Sequence, residues 1–166
     1  MPNYRRDYSG CSWFFTVVTR GRAPILVEDR ARACLRKAVD ECRERFPFAV
    51  DGWVLLPEHL HCLWTLPEED PDYSRRWSLI KRRFTQSLRD SEGSRFWQDR
   101  FWAHRIHDER DFENHMAYIH FNPVKHGHAS SPADWPWSTF HRWVRAGVYP
   151  RDWGRALDLP PHVGSE

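Results

Sequence analysis

The sequence predicts an α+β domain in which helices pack on an antiparallel sheet. Three observations lead there. Aromatic and β-branched runs of strand length stand at 13–19, 48–56 and 59–66. Charged segments with apolar residues at helical spacing stand at 28–46 and 74–89. Their order along the chain is strand, helix, strand, strand, helix, strand, with a third helix to follow.

Each element has its own justification. Gly10 and Gly21 bracket the first run, WFFTVVT. In 28–46 the apolar positions are Ala31, Leu35, Ala38, Val39, Cys42 and Phe46, with charges between them. FAVDGWVLL reads as the second strand, and its Gly52 marks a bulge. After the Pro57-Glu58 turn, HLHCLWTL alternates as a third strand. The segment 74–89 presents Trp77, Ile80, Phe84 and Leu88 to one side. RFWQDRFWAHRI at 95–106 is a fourth strand, broken in its middle. Asp108 is the N-cap of a third helix, and Pro123 predicts its end near Asn122, because proline disfavours helical geometry in the residue before it. The first six elements match the split βαβ, or ferredoxin-like, order.

Composition sets limits. A chain of 166 residues is one domain with room for a short tail, here divided as 1–149 and 150–166. Ten Trp and ten Phe make its core unusually aromatic. A net charge of only +2 means that bulk charge does not identify a nucleic-acid binder. Cys11, Cys34, Cys42 and Cys62 form no CxxC pair, which argues against a zinc ribbon and for free thiols. No run approaches the roughly 20 apolar residues of a membrane span. The expectation is a cytoplasmic protein without a membrane partner.

Chemistry concentrates in two places. On the third strand, His59 and His61 share a face, about 7 Å apart along the chain, while Leu60 and Cys62 take the other. Two imidazoles so placed can converge on one divalent cation, although an isolated HxH is more often two ordinary polar residues. On the third helix, Tyr118 and Asn122 are four apart and share a face. A phenol there can face a substrate while the amide oxygen completes a cation's shell; a half-buried aromatic and a helix-end Asn before proline are the plainer alternatives. His120, His126 and His128 crowd the same region as phosphate contacts or surface residues.

PEHLHCLWTLP, followed some fifty residues later by YIHFNPVKHG, resembles the single-tyrosine HUH transposases. The opening MPNYRR, then GCSWFFTVVTRGRAPIL and the late DWPWSTFHRWVRAGVYPRDWG, are similar to the REP-associated tyrosine transposases in particular. The likeness runs from Met1 to about Gly154. It implies a ferredoxin-like sheet with an appended helix carrying Tyr118 as nucleophile. It implies metal ligands at His59, His61 and Asn122, and Mg2+ or Mn2+ as cofactor. Larger relatives often carry Gln at the third ligand position, and Asn122 is shorter by one methylene. The implied reaction is transesterification on single-stranded DNA bearing a palindromic hairpin, through a 5′-phosphotyrosine link, by a monomer or a homodimer. A domesticated relative that grips hairpins without cutting them is the alternative.

DNA contacts are expected along 71–89, which holds six Lys/Arg and one acid. Arg75, Arg82 and Arg89 line one helix face, with Arg76 and Arg83 flanking them. Such a run is as often a solvated face. Arg5 and Arg6 in the opening segment, and Lys125 and His126 beyond the tyrosine, complete the expected DNA contacts.

Overall fold

The computed structural model describes residues 10–89 and 94–155. Strands β1 (Cys11–Val18), β2 (Ala49–Leu55), β3 (His59–Leu66) and β4 (Trp102–Arg105) form one antiparallel sheet in the order β2-β3-β1-β4. Helices α1 (Asp29–Arg45) and α2 (Tyr73–Leu88) follow β1 and β3, which completes the ferredoxin-like arrangement. Helix α3 (Glu109–Lys125) and the short α4 (Phe140–Arg145) are additional.

Strand alternation sorts the apolar residues into two cores. Phe15, Val17, Leu60, Cys62, Trp64 and Leu66 pack under α1 and α2. Phe14, Val54 and Leu63 point the other way and pack under Phe112, Met116, Tyr118 and Ile119 of α3. The third helix therefore converts the solvent face of an open sheet into a second buried layer. Gly52 makes its close approach possible: a Cβ there would stand 2.6 Å from Met116 Sδ and 3.0 Å from Ile119 Cδ1. The register of β2 against β3 shifts between Val50 and Gly52, the bulge expected there.

The fourth strand has the break expected in its middle, and one helix differs from expectation. The fourth strand is regular only over Trp102–Arg105. Upstream, Gln98 N–H still donates to Val18 O (3.0 Å) and Arg20 N–H to Phe96 O (2.8 Å), so the pairing is interrupted at 99–101. Helix α3 does not end near Asn122 but runs through Pro123 to Lys125. Pro123 has no N–H to donate within the helix. Burial of Phe121 and Pro123 offsets that loss, and His126 N–H donates to Asn122 O at 3.0 Å. The turn closes at Gly127, whose φ is 73°. At the other end Asp108 caps the helix as expected, accepting from Asp111 N–H at 2.8 Å.

The segment after α3 lies along β2, the sheet edge. Leu55 N–H donates to Trp137 O and Thr139 N–H to Trp53 O, both at 2.9 Å. Trp153, within the expected tail, packs against Phe140 and Tyr149 of the second core. His120 ties this segment to α3: Nδ1 is 3.0 Å from Tyr149 OH and Nε2 is 2.9 Å from Thr139 Oγ1. Burial, reinforced by the charges of Arg142 and His141, pushes its pKa down from 6.5 to about 3. The neutral ring therefore contributes stability that is complete above pH 6.5 and is lost as the pH falls toward 3. The urea midpoint is expected to fall between pH 7.5 and pH 5, as this residue lowers the unfolding free energy by up to about 1.4 kcal/mol per pH unit below pH 6.5. Replacing His120 by Asn lowers the midpoint at pH 7.5 and flattens the slope; a wild-type midpoint equal at both pH values would remove the effect.

Candidate functional site

β3 brings the two histidines together on the α3 side of the sheet, the face they were expected to share. They are not exposed there: His59 is 1% and His61 0% accessible, because α3 covers them. Their ring centroids are 4.8 Å apart, at 79°. Each ring is oriented through Nδ1. His59 Nδ1 lies 3.1 Å from Glu58 Oε1, and His61 Nδ1 lies 2.8 Å from Thr16 Oγ1. A carboxylate only accepts, so the His59 Nδ1–H donates to Glu58 and Nε2 points away from that contact. This carboxylate–histidine arrangement is the one that orients imidazoles toward a cation.

α3 lays one row of side chains over the pair. Tyr118, Asn122 and His126 are successive members of an i, i+4, i+8 row. The Tyr118 ring stands 5.2 Å from His61 and the His126 ring 5.1 Å from His59. Asn122 lies between them by helix geometry. Its side chain is buried and neither Oδ1 nor Nδ2 has a hydrogen-bond partner. An amide kept only for packing would be satisfied. Two oriented imidazoles and an unsatisfied amide oxygen are a donor set that fits a divalent cation. The position before proline does not remove Asn122 from the site, since the helix continues through it.

The Tyr118 hydroxyl accepts a hydrogen bond from Lys125 Nζ at 3.1 Å, and the same ammonium lies 4.8 Å from the ring centroid. Lys125 was expected on DNA; here it touches the phenol. The i, i+7 spacing of the two could have suggested this, had the helix been read past Pro123. Beside Tyr118 and His59 opens a cleft of about 290 Å³. Phe14, Thr16 and Val18 line its floor, and Arg22, Gln98, Arg100 and Trp102 stand around it. Gln98, Arg100 and Trp102 come from one stretch of five residues and Arg22 from the turn after β1, and no motif marked them.

A second polar cluster sits where β4 meets α3. His104, His107 and Asp111 present ligand atoms within 4.8 Å of one another. Asp111 Oδ2 is shared by His104 Nε2 and the His107 N–H, each at 3.0 Å, and Oδ1 is 2.9 Å from His115 Nδ1. Burial works against the ionised Asp111, but the His107 and His104 hydrogen bonds and the nearby imidazoles hold its pKa below the ordinary value. Burial chiefly lowers that of His115. With both carboxylate oxygens engaged by the protein, the cluster clamps the start of α3 to β4.

The expected DNA contacts on α2 lie on the other face of the sheet from Tyr118. Arg82 and Arg89 are exposed. Arg75 forms two hydrogen bonds of 2.8 Å with Asp70, and Arg83 Nε lies 3.5 Å from Glu41. Arg76 is 0% accessible and donates to the carbonyls of Phe46, Pro47, Asp70 and Asp72 and to Asp70 Oδ2. Its guanidinium ties the α1–β2 turn to the start of α2, so it is not available to a phosphate. Helical position alone could not separate it from its exposed neighbours. Arg5 and Arg6 lie outside the described residues. No helix among the described residues is long and apolar enough to cross a membrane.

No family model matches the chain. Individual relatives do. The REP-associated tyrosine transposase of Escherichia coli K12 is 47% identical over 154 residues, covering 92% of this chain and 91% of its own. A Haemophilus influenzae protein given the same family name is 40% identical over 171 residues, covering 96% and 97%. A solved structure of a REP-associated tyrosine transposase bound to a REP hairpin superimposes with a TM-score of 0.80 at 43% identity, covering 99% of this chain and all of the other. These relatives match nearly end to end, and the chain belongs to the REP-associated tyrosine transposase family.

Proposed function

We propose that the protein is a metal-dependent single-stranded DNA transesterase that nicks and rejoins DNA beside hairpins through a 5′-phosphotyrosine link. The observation that carries this reading is the meeting of Tyr118 with the histidine pair and with Lys125 under one helix. The hairpin-bound relative supports hairpin DNA as the partner.

In this reading the Tyr118 oxygen attacks the scissile phosphorus, the P–O3′ bond breaks, and the strand leaves with a free 3′-hydroxyl. The phenol gives up its proton, and a proton ends on the 3′ oxygen. A phenol has an ordinary pKa of about 10 and is a poor nucleophile while protonated. The Lys125 ammonium at the hydroxyl favours the phenolate by charge and hydrogen bond. His59, His61 and Asn122 would hold a divalent cation, which when bound polarises the phosphate and neutralises its charge. Glu58 and Thr16 fix the two rings in the orientation this needs. Reversal, with the free 3′-hydroxyl attacking the phosphotyrosine, conserves the bond energy, so no nucleotide triphosphate is required.

A labelled hairpin with a single-stranded flank tests the reading. With Mg2+ or Mn2+, a protein–DNA species that survives denaturation is expected. A hairpin complex that never yields one, at any metal concentration, would instead make the chain a non-cleaving hairpin-binding protein.

In the same reading the exposed arginines of α2 contact DNA phosphates from the face of the sheet opposite Tyr118. Replacing Arg75, Arg82 and Arg89 together by Ala is expected to weaken binding and flatten its salt dependence. The log–log slope should fall by about 0.7 for each lost single-strand phosphate contact and by about 0.9 for each lost duplex contact. An unchanged slope takes α2 out of the interface.

A further inference from the structure

Cross-strand register places one row of side chains across the α3 face of the sheet. Val54 is opposite His61, His61 opposite Thr16, and Thr16 opposite Trp102. Cover by α3 runs out along this row. Val54 and His61 are fully buried, Thr16 is half-buried, and Trp102 is 63% accessible. Trp102 is the one large apolar side chain that is exposed among the described residues. The neighbouring Phe101, pointing to the other face, packs against the first core. The protein has ten tryptophans, and the others among the described residues are buried or half-buried. The exposed one therefore stands at the rim of the cleft that holds Tyr118 and His59.

The surroundings of that ring are cationic and built. Arg100 is exposed beside it, and Arg22 faces the cleft from the turn after β1. Arg22 adopts φ +52°, a left-handed conformation disfavoured for a side chain larger than glycine. Its NH1 lies 3.9 Å from Glu58 Oε1, the oxygen that also orients His59. An exposed indole with two arginines lining the same cleft is the arrangement that takes an unpaired base and its flanking phosphates. A cleft of about 290 Å³ takes one nucleotide of a single strand and not a base pair.

We propose that Trp102 is a stacking platform for the unpaired base next to the phosphate that Tyr118 attacks, with Arg22 and Arg100 holding the phosphates of that single-stranded flank. This rests on the reading of Tyr118 as the nucleophile. The recognition is of a base face and a charged backbone, so this subsite positions the strand and tolerates different bases. Selectivity for sequence must come from elsewhere in the complex.

The test uses the full chain, a hairpin with a single-stranded flank, and the same hairpin without it. Trp102→Ala should lower kcat/KM for covalent adduct formation about tenfold, within the range for loss of one base–aromatic stack. Trp102→Tyr should restore most of the loss. An abasic residue is then placed at each flank position in turn. At one position it should slow the wild type as much as Trp102→Ala does, with no further loss in the variant. Binding of the flankless hairpin should not change. Equal rates for wild type and Trp102→Ala would overturn the proposal. So would losses from the variant and the abasic sites that multiply at every position. If the wild type forms no adduct, the nucleophile reading has failed. The platform is then judged by 2-aminopurine in the flank, whose fluorescence should be quenched by the wild type and not by Trp102→Ala. Equal quenching would refute it.

Discussion

Tyr118→Phe is expected to bind the flanked hairpin with wild-type affinity and to form no covalent adduct. The substitution removes one oxygen from a ring that is only 6% accessible and leaves its contacts with His61 and Phe14 in place. The structural loss is the hydrogen bond from Lys125, on the order of 1 to 3 kcal/mol for a charged donor, partly offset because Lys125 can turn to water. Melting temperature should therefore move by a few degrees. The rate should fall by a factor on the order of 10⁶, as when a covalent nucleophile is removed, which in practice means below detection. Adduct formation and a melting curve on the same preparation check both halves. Adduct persisting on another tyrosine would reject the assignment. Lys125→Met gives the graded companion: it keeps the phenol and removes the charge, so the adduct should still form, more slowly, with the deficit shrinking as pH rises and more phenol ionises.

The second large effect is expected at the histidine pair. His59→Gln and His61→Gln should each abolish metal-dependent cleavage. Gln is preferred to Ala for this pair because both rings are buried beneath α3, and truncation would open a cavity there. Stability will fall in either case, so loss of activity alone decides nothing. The discriminating measurement is the rise in melting temperature on adding Mn2+, which ligand binding to the folded state requires. Wild type should show it, and both variants should lose it. Asn122→Ala should reduce it; removing an amide that makes no hydrogen bond in the fold is mild for stability. A full Mn2+ shift in His59→Gln and His61→Gln would move the metal site elsewhere, and the His104, His107 and Asp111 cluster would be the place to look.

Much of this architecture was legible in one dimension. Strand and helix order follow from local periodicity, because alternation and 3.6-residue spacing are properties of neighbouring residues. Strand β3 begins and ends where its alternation does, and its histidines share the face expected of them. The Asp108 cap and the Gly52 bulge are equally local. Motif resemblance located the family because the two diagnostic segments are short and nearly continuous.

What only the tertiary structure decided involves residues that meet across long stretches of chain. The histidine face looked open, since a four-stranded sheet with two helices leaves one side bare. α3 fills that side, because the gap at Gly52 lets Met116 and Ile119 settle against the strands. Pro123 signalled a helix end, yet the buried side chains around it carry the helix one turn further and bring Lys125 onto Tyr118. In the basic run of α2, Arg76 and Arg82 look alike by composition. One is buried among four carbonyls and the other faces solvent, because burial depends on the α1–β2 turn some thirty residues earlier. Trp102 is the converse case: nine other tryptophans share its chemistry, and only the sheet register and the reach of α3 leave this one bare beside the phenol. Periodicity reports which way a side chain points, but which element arrives to cover it is settled by packing between segments far apart in sequence.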